Sequence, residues 1–169
     1  MIKMETNMGV IVLELNTEKA PKSVMNFVRY VNDKFYDGTT FHRIIDGFMV
    51  QGGGYTVDYE KKDVRPPITN EANNGLKNVR GSVALARTNL PHSADSQFFI
   101  NVVDNHRLDH RNQSRSGWGY AVIGKVAEGM DVVDKIKSVE TGRGGPFRSD
   151  VPAEPIIIEK ATVIDKAKP

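Results

Sequence analysis

Apolar and polar residues along this chain fall mostly into short runs of β-prone residues broken by turn signals, and only two stretches show the spacing of a helix face. Ile2 to Thr6 and Val10 to Leu15 are β-rich runs joined at Asn7-Met8-Gly9, which predicts a hairpin. Pro21 suits the first turn of a helix, and Val24, Phe27, Val28 and Val31 follow at i, i+3, i+4 and i+7. Met25 and Phe27 at this spacing read as surface or core residues. From Phe41 to Gly54 two apolar runs flank Asp46-Gly47, an arrangement that predicts a hairpin with a type I′ turn and positive φ at both central residues. Alternation would put Phe41, Arg43 and Ile45 on one side, and Met49 and Gln51 on one side of the returning strand.

The polar stretch Tyr55 to Arg80 carries Pro66-Pro67 and Asn73-Asn74-Gly75 and has no sustained period, as expected of a structured functional loop or a disordered one. Val83 to Arg87, Gln97 to Val103 and Gly119 to Val126 read as strands, and Gly129 to Lys137 as a short helix. Gly142 to Pro155 reads as loop, Ile156 to Ile164 as a closing strand, and Lys166 to Pro169 as a frayed end. About eight strands and two helices that do not alternate one for one predict a mainly β fold, a closed antiparallel barrel.

A chain of 169 residues is long enough for one domain with a sizeable core, expected over residues 1–165. Its net charge of +2 without long like-charge runs implies neither nucleic acid nor a membrane surface as partner. Cysteine is absent, which removes disulfides, thiolate catalysis and thiolate metal sites. No apolar run approaches the roughly 18 residues of a membrane span, and the N-terminus lacks a signal-like apolar core, so the expected location is the cytoplasm.

Several tempting motifs fail on chemistry. Gly119 to Lys125 has phosphate-loop spacing, but Val126 stands where a Ser or Thr is needed. His42, His92, His106 and His110 offer no helical or cysteine-paired metal site, His106 to His110 being loop-like, and are expected at the surface, so no metal or other cofactor is expected. His92-Ser93-Ala94-Asp95 has triad residue types without a nucleophile elbow, and Gly52-Gly53-Gly54 leads into no helix. What stands out is Arg43 inside an apolar pattern, with Gln51 beside a triple glycine and next to Phe48 and Met49. This grouping suggests a wall where a ligand approaches the backbone closely.

The string Phe41 to Gly53 (Phe-His-Arg-Ile-Ile-Asp-Gly-Phe-Met-Val-Gln-Gly-Gly) resembles the signature of the cyclophilins, peptidyl-prolyl cis/trans isomerases. The resemblance continues at Ala84 to Arg87, Ser96 to Asn101 and Gly119 to Val126, and Asn70 to Leu76 with Trp118 to Tyr120 is similar to the cytoplasmic bacterial members. Many relatives have proline at Asp46, which should preserve the turn. The resemblance implies an eight-stranded barrel capped by two helices, a loop at Tyr55 to Arg80 wrapping the sheet, and no cofactor. It implies that Arg43 donates to the prolyl nitrogen, that Phe48, Met49, Phe99 and Leu108 line the proline pocket, that Gln51 bonds the substrate backbone, and that Gln97 shapes the site. Ala86 and Arg87 would fall on the edge that pairs with the peptide, Arg87 departing from the asparagine of eukaryotic relatives. His110 and Tyr120 would lie near the site.

The chemistry fits such a residue set. Rotation about an Xaa-Pro bond faces a barrier of about 18 to 20 kcal/mol, and as the bond twists the nitrogen lone pair localises and becomes an acceptor. A donor at that point binds the transition state better than the ground state. The expected partners are proline-containing peptides and unfolded or flexible protein segments, with the protein a monomer. Cyclosporin is expected to bind weakly, since Arg107 stands where the tight-binding relatives carry tryptophan. A catalytically idle module that holds proline segments in the same groove is the alternative.

Overall fold

The computed structural model describes residues 1–164, so the expected frayed end at 166–169 lies outside the described residues. Strands β1 (Ile2–Thr6) and β2 (Gly9–Leu15) form the expected hairpin, and α1 (Pro21–Asn32) follows with Pro21 at its first turn. Then come β3 (Thr39–Thr40), β4 (Arg43–Ile45), β5 (Met49–Gly52), β6 (Ser82–Leu85), β7 (Phe98–Asn101) and β8 (Val122–Glu128). Helix α2 (Met130–Lys137) leads to β9 (Thr141–Gly144), β10 (Phe147–Pro152) and β11 (Ile157–Val163).

Nine strands make one antiparallel sheet in the order β3-β11-β1-β2-β8-β6-β7-β5-β4. Its two ends, β3 and β4, are separated in the chain only by Phe41-His42, so the sheet has curled round on itself. The expected mainly β fold, an antiparallel barrel-like sheet with two helices, is what forms, with nine strands in the curled sheet where about eight were expected. Its ladder is open between β3 and β4, and the gap is spanned by an isolated bridge between Thr39 and Thr56 and by the Thr40 N–H donating to the Tyr55 C=O at 2.9 Å. A correction lies at Gly142 to Pro155, expected as loop, where β9 and β10 form a separate two-stranded sheet.

Alternation along the strands sends Ile44, Val50, Val83, Leu85, Phe98, Ile100 and Ile123 inward to one large core, with Met4, Ile11 and Leu13 of the first hairpin. Helix α1 contributes Val24, Phe27, Tyr30 and Val31 to that core, and α2 contributes Val132, Val133 and Ile136. Phe41 belongs here too, edge-on to Phe98 at 5.9 Å. It therefore does not share a side with Arg43 and Ile45, because β4 starts only at Arg43 and the irregular Phe41-His42 crossing breaks the alternation.

The β4–β5 hairpin forms as expected, but its turn is not type I′. The Phe48 N–H donates to the Ile45 C=O at 3.0 Å and only Gly47 has positive φ, +80°, which is a type II arrangement. Proline is favoured at the second position of such a turn, so the Asp46 difference from relatives is neutral for this backbone. The triple glycine also has a different reason from the one expected. A Cβ on Gly52 would lie 2.6 Å from the Thr40 oxygen, one on Gly53 2.8 Å from the Tyr36 ring, and one on Gly54 2.7 Å from the Gln97 side chain. What approaches this backbone closely is the protein's own core and the Gln97 side chain.

Candidate active site

The opposite pleat faces of β4 to β8 carry the site. Register pairs Arg43 with Gln51, Gln51 with Phe99, Phe99 with Ala84, and Ala84 with Val122. These residues form one transverse row on the outer face, a cation, an amide, an aromatic ring and two small apolar groups, about 4.8 Å apart from strand to strand. Ile45 and Met49 form the adjacent row. Met49, Ala84, Phe99 and Val122 make a second apolar cluster distinct from the main core, with Phe48, Ala86, Leu108 and Tyr120 packed around it. The pocket aromatics are therefore not ordinary members of the barrel core.

A cavity of about 180 Å³ opens over this row, lined by Arg43, Phe48, Met49, Gln51, Ala86, Arg87, Phe99, Leu108 and Tyr120. Phe99 and Tyr120 meet edge to face at 5.7 Å, and the Arg107 guanidinium lies 4.7 Å over the Phe48 ring. Arg43 is exposed at the sheet edge, and its Nη1 donates to Gln51 Oε1 at 3.2 Å. Gln51 Nε2 in turn donates to Gln97 Oε1 at 3.0 Å. Gln97 thus lies behind Gln51 and does not line the cavity itself, and Gly54 leaves the space in which it lies. Ala86 donates its N–H to the Gln97 C=O at 3.0 Å, whereas the Arg87 N–H and C=O bond to nothing among the described residues. The Arg87 side chain turns away, its Nε donating to the Gly119 C=O at 2.9 Å and its guanidinium 4.8 Å over the Tyr120 ring.

Three features of the site were not foreseen. Asn78, Asn101 and Asn105 form a buried chain of side-chain hydrogen bonds, Asn101 Nδ2 to Asn78 Oδ1 at 3.0 Å and Asn105 Nδ2 to Asn101 Oδ1 at 2.8 Å. The chain holds the cavity walls from below, since Asn105 Nδ2 donates to the Phe48 C=O at 2.9 Å and Asn78 Nδ2 to the Leu108 and Tyr120 C=O groups at 3.2 and 3.3 Å. The β9–β10 hairpin builds a second cavity of about 380 Å³ beside the first, sharing Arg43 and Gln51 and adding Gln97, Tyr55, Phe147 and Asp150. The Gly145-Pro146 pair was the available signal, a turn marker between two short runs. A groove of about 610 Å³ between Glu14–Glu18 and Leu76–Val79 is larger than the Arg43 cavity but shares no lining residue with it.

The third feature is His42, expected at the surface. It is only 5 % exposed, stacks against Tyr55 and Phe147 with ring centroids 4.7 and 5.3 Å away, and its Nδ1 has no hydrogen-bond partner. Burial, then the neighbouring Arg43 charge, pushes its pKa down to about 4, only partly offset by the Thr40 backbone. His106, His110 and His92 keep some exposure as expected, and His110 and His92 flank Trp118 at 5.0 and 4.9 Å. Among the described residues no three His, Cys, Asp or Glu side chains converge as a metal site, and no helix is long and apolar enough to cross a membrane.

A curled antiparallel sheet that carries an arginine, an amide and an apolar cavity in one outward-facing row defines a mainly β protein with an open cleft on the outer face of its sheet. The family model for "Cyclophilin type peptidyl-prolyl cis-trans isomerase/CLD" matches residues 1–163, and the chain belongs to that family. It is 55% identical over 163 residues to peptidyl-prolyl cis-trans isomerase B of Escherichia coli K12, covering 96% of this chain and 99% of that one. Identity to peptidyl-prolyl cis-trans isomerase cyp18 of Streptomyces antibioticus is 54%, covering 96% and 98%. The fold superposes with a TM-score of 0.79 on a Cryptosporidium parvum cyclophilin type isomerase solved in the presence of the dipeptide Ala-Pro, at 24% identity and 98% and 99% coverage. The chain is thus an isomerase of the peptidyl-prolyl cis-trans class.

Proposed function

We propose that Arg43 is the catalytic group of this isomerase and that Phe48, Met49, Phe99, Leu108 and Tyr120 receive the proline ring. Gln51 bonds the substrate backbone, Gln97 holds Gln51, and the free N–H and C=O of Arg87, next to Ala86, pair with the peptide main chain. The observation that carries this reading is the row Arg43, Gln51, Phe99 on one face of three adjacent strands. A ring seated over Phe99 leaves its nitrogen on the Gln51–Arg43 side, where a guanidinium waits for a lone pair that exists only when the amide twists. A charge-assisted hydrogen bond of this kind is worth about 1.5 to 3 kcal/mol, roughly two powers of ten. Moving from tens of seconds to milliseconds takes roughly 5.5 kcal/mol, so the rest comes from holding the ring while the acyl side turns and from an apolar cavity that favours the less polar twisted amide.

The test is a protease-coupled proline-peptide assay together with NMR exchange on a peptide at equilibrium. Arg43→Ala is expected to lower kcat/KM at least about a hundredfold while peptide affinity and the thermal melt change little, because the lost bond is made only in the transition state. Arg43→Lys should rescue little, since an ammonium cannot reproduce the planar fork. Near-normal kcat in a folded Arg43→Ala protein would replace this mechanism by a groove that merely holds proline segments.

A further inference from the structure

We propose that the groove next to the proline cavity, walled by Arg87 to Asn89 on one side and Ser114 to Ser116 on the other, is an anion-selective subsite. It would take an acidic side chain, carboxylate or phosphate, of a substrate residue flanking the proline, and this deepens the reading of the Arg43 site on which it rests. The groove measures about 640 Å³, and it shares Arg87 and Tyr120 with the proline cavity. A peptide seated in the one therefore presents a neighbouring residue to the other.

Its charge is one-sided. Arg107, Arg111 and Arg115 fall within one surface loop, and Arg87 faces that loop across the groove. The only carboxylate in the loop, Asp109, is buried. Burial by itself would raise its pKa, but the Asn78 N–H at 2.7 Å and the His106 ring at 2.8 Å outweigh that and hold it below the usual range. It is already engaged and faces away from solvent. Elsewhere Arg65 pairs with Asp33 and Arg80 with Asp134, while Arg29, Arg143 and Arg148 stand singly and apart from one another in the sequence or outside this groove. Among the described residues none of Arg43, Arg87, Arg107, Arg111 and Arg115 has an acidic group within salt-bridge distance.

Arg87 is also held in place. Its Nε donates to the Gly119 C=O at 2.9 Å, Nη1 to the Thr88 C=O at 3.1 Å and Nη2 to the Arg115 C=O at 3.3 Å, with the Tyr120 ring under it. Carbonyl dipoles orient the guanidinium without cancelling its unit charge. A cation already immobilised gives up little side-chain entropy when an anion arrives, unlike the flexible pairs that make most surface salt bridges weak. Arg115, exposed on the facing wall, supplies the free planar fork that an acidic group bonds in two places.

The experiment places Glu, Gln, Lys or phosphoserine at each of the two positions before and after proline in an otherwise neutral alanine frame, and measures isomerisation by NMR exchange at low and high salt. At one or more positions Glu should have a KM about threefold to tenfold below Gln, with Lys above both and kcat nearly constant, and the spread should shrink at about 1 M salt, where the screening length is about 3 Å. Phosphoserine surpassing Glu would assign a phosphoryl group as the favoured anion, Glu alone a carboxylate, and either supports the subsite. Arg115→Glu should invert the Glu-to-Lys ratio, a comparison internal to each protein and so insensitive to any overall loss of activity. A ratio near one at every position, or one that survives both high salt and Arg115→Glu, overturns the inference. If no peptide, the neutral one included, is turned over, the isomerase mechanism fails, and titrating the same peptides into the protein still decides anion selectivity.

Discussion

Buried His42 makes the stability of this protein depend on pH in a window set by its environment. Folded, the imidazole titrates at about 4, because burial and then the Arg43 charge disfavour the cation. In the unfolded chain a histidine titrates near 6.5. As pH falls below that value the unfolded state binds the proton first, so stability is lost between about 6.5 and about 4, and below the lower value no further loss comes from this group. Between about pH 7.5 and about pH 4.5 the two titration curves integrate to about 2.5 kcal/mol, a sizeable part of a typical domain's 5 to 15 kcal/mol. The assay is urea unfolding at both pH values for the wild type and His42→Gln, followed by far-ultraviolet circular dichroism. Trp118 fluorescence is the poorer probe, because it reports only the site where the His92 and His110 rings pack against the indole. His42→Gln should be less stable at neutral pH yet lose about 2.5 kcal/mol less on acidification. Equal losses in the two proteins would refute the reasoning, as would an NMR midpoint for the His42 ring above about pH 6.

The remaining expectations concern the walls of the site. Asn78→Ala removes the bonds to Leu108, Tyr120 and Asp109 and the acceptor for Asn101, and should cost about 2 to 3 kcal/mol in denaturant unfolding and raise KM for a proline peptide. At Gly119, φ is +76° and a Cβ would lie 2.5 Å from the Leu108 oxygen. Gly119→Ala should therefore destabilise by at least about 2 kcal/mol and loosen the Leu108–Tyr120 wall, read as a lower melting temperature with a higher KM. Cyclosporin should bind weakly, and Arg107→Trp should tighten it by about one to two powers of ten in titration calorimetry, since a ring there adds apolar burial where a cation now covers Phe48. Nanomolar affinity of the unmodified chain, or no gain in the variant, would contradict that placement of Arg107.

Local pattern carried the elements whose faces are set by their own residues. The first hairpin, α1, α2 and the closing strand were legible because β1 alternates, each helix buries one face, and β2 and β11 are runs rich in β-branched residues. The β9–β10 hairpin was not, because Thr141 to Gly144 and Phe147 to Asp150 are mostly exposed and glycine-rich, with little apolar alternation to betray a strand. His42 was misjudged for a related reason. Its burial comes from Phe147, more than a hundred residues away, folding over it, and nothing in the residues beside it in the chain signals that. The residues around the Arg43 cavity were legible chiefly through resemblance, since from the residues alone only Arg43, Gln51, Phe48 and Met49 stood out. Phe99, Leu108 and Tyr120 reach the cavity by strand pairing and loop packing across long stretches of chain. The asparagine chain beneath them was hidden because an asparagine at a strand end reads locally as a turn former.

On the proposed mechanism, the placement of Arg43 at the end of a row, and not in its middle, follows from what the reaction would ask of it. A guanidinium flanked by strands on both sides would be desolvated, and burying an unpaired charge costs far more than a single hydrogen bond returns. On the edge strand β4 its head stays in water, and its position is set by one bond to Gln51, itself held by Gln97. Two ladder steps separate Arg43 from Phe99, about 10 Å between backbones, a distance the arginine side chain can bridge back over Gln51 while leaving room for a five-membered ring on the phenyl face. Shortening the row would push the cation into the apolar cluster, and lengthening it would take the donor out of reach of the prolyl nitrogen. On the proposed mechanism the strand order β4-β5-β7 is therefore itself a catalytic feature. It places one strand, two ladder steps, between a cation that must remain hydrated and an apolar wall that must remain dry.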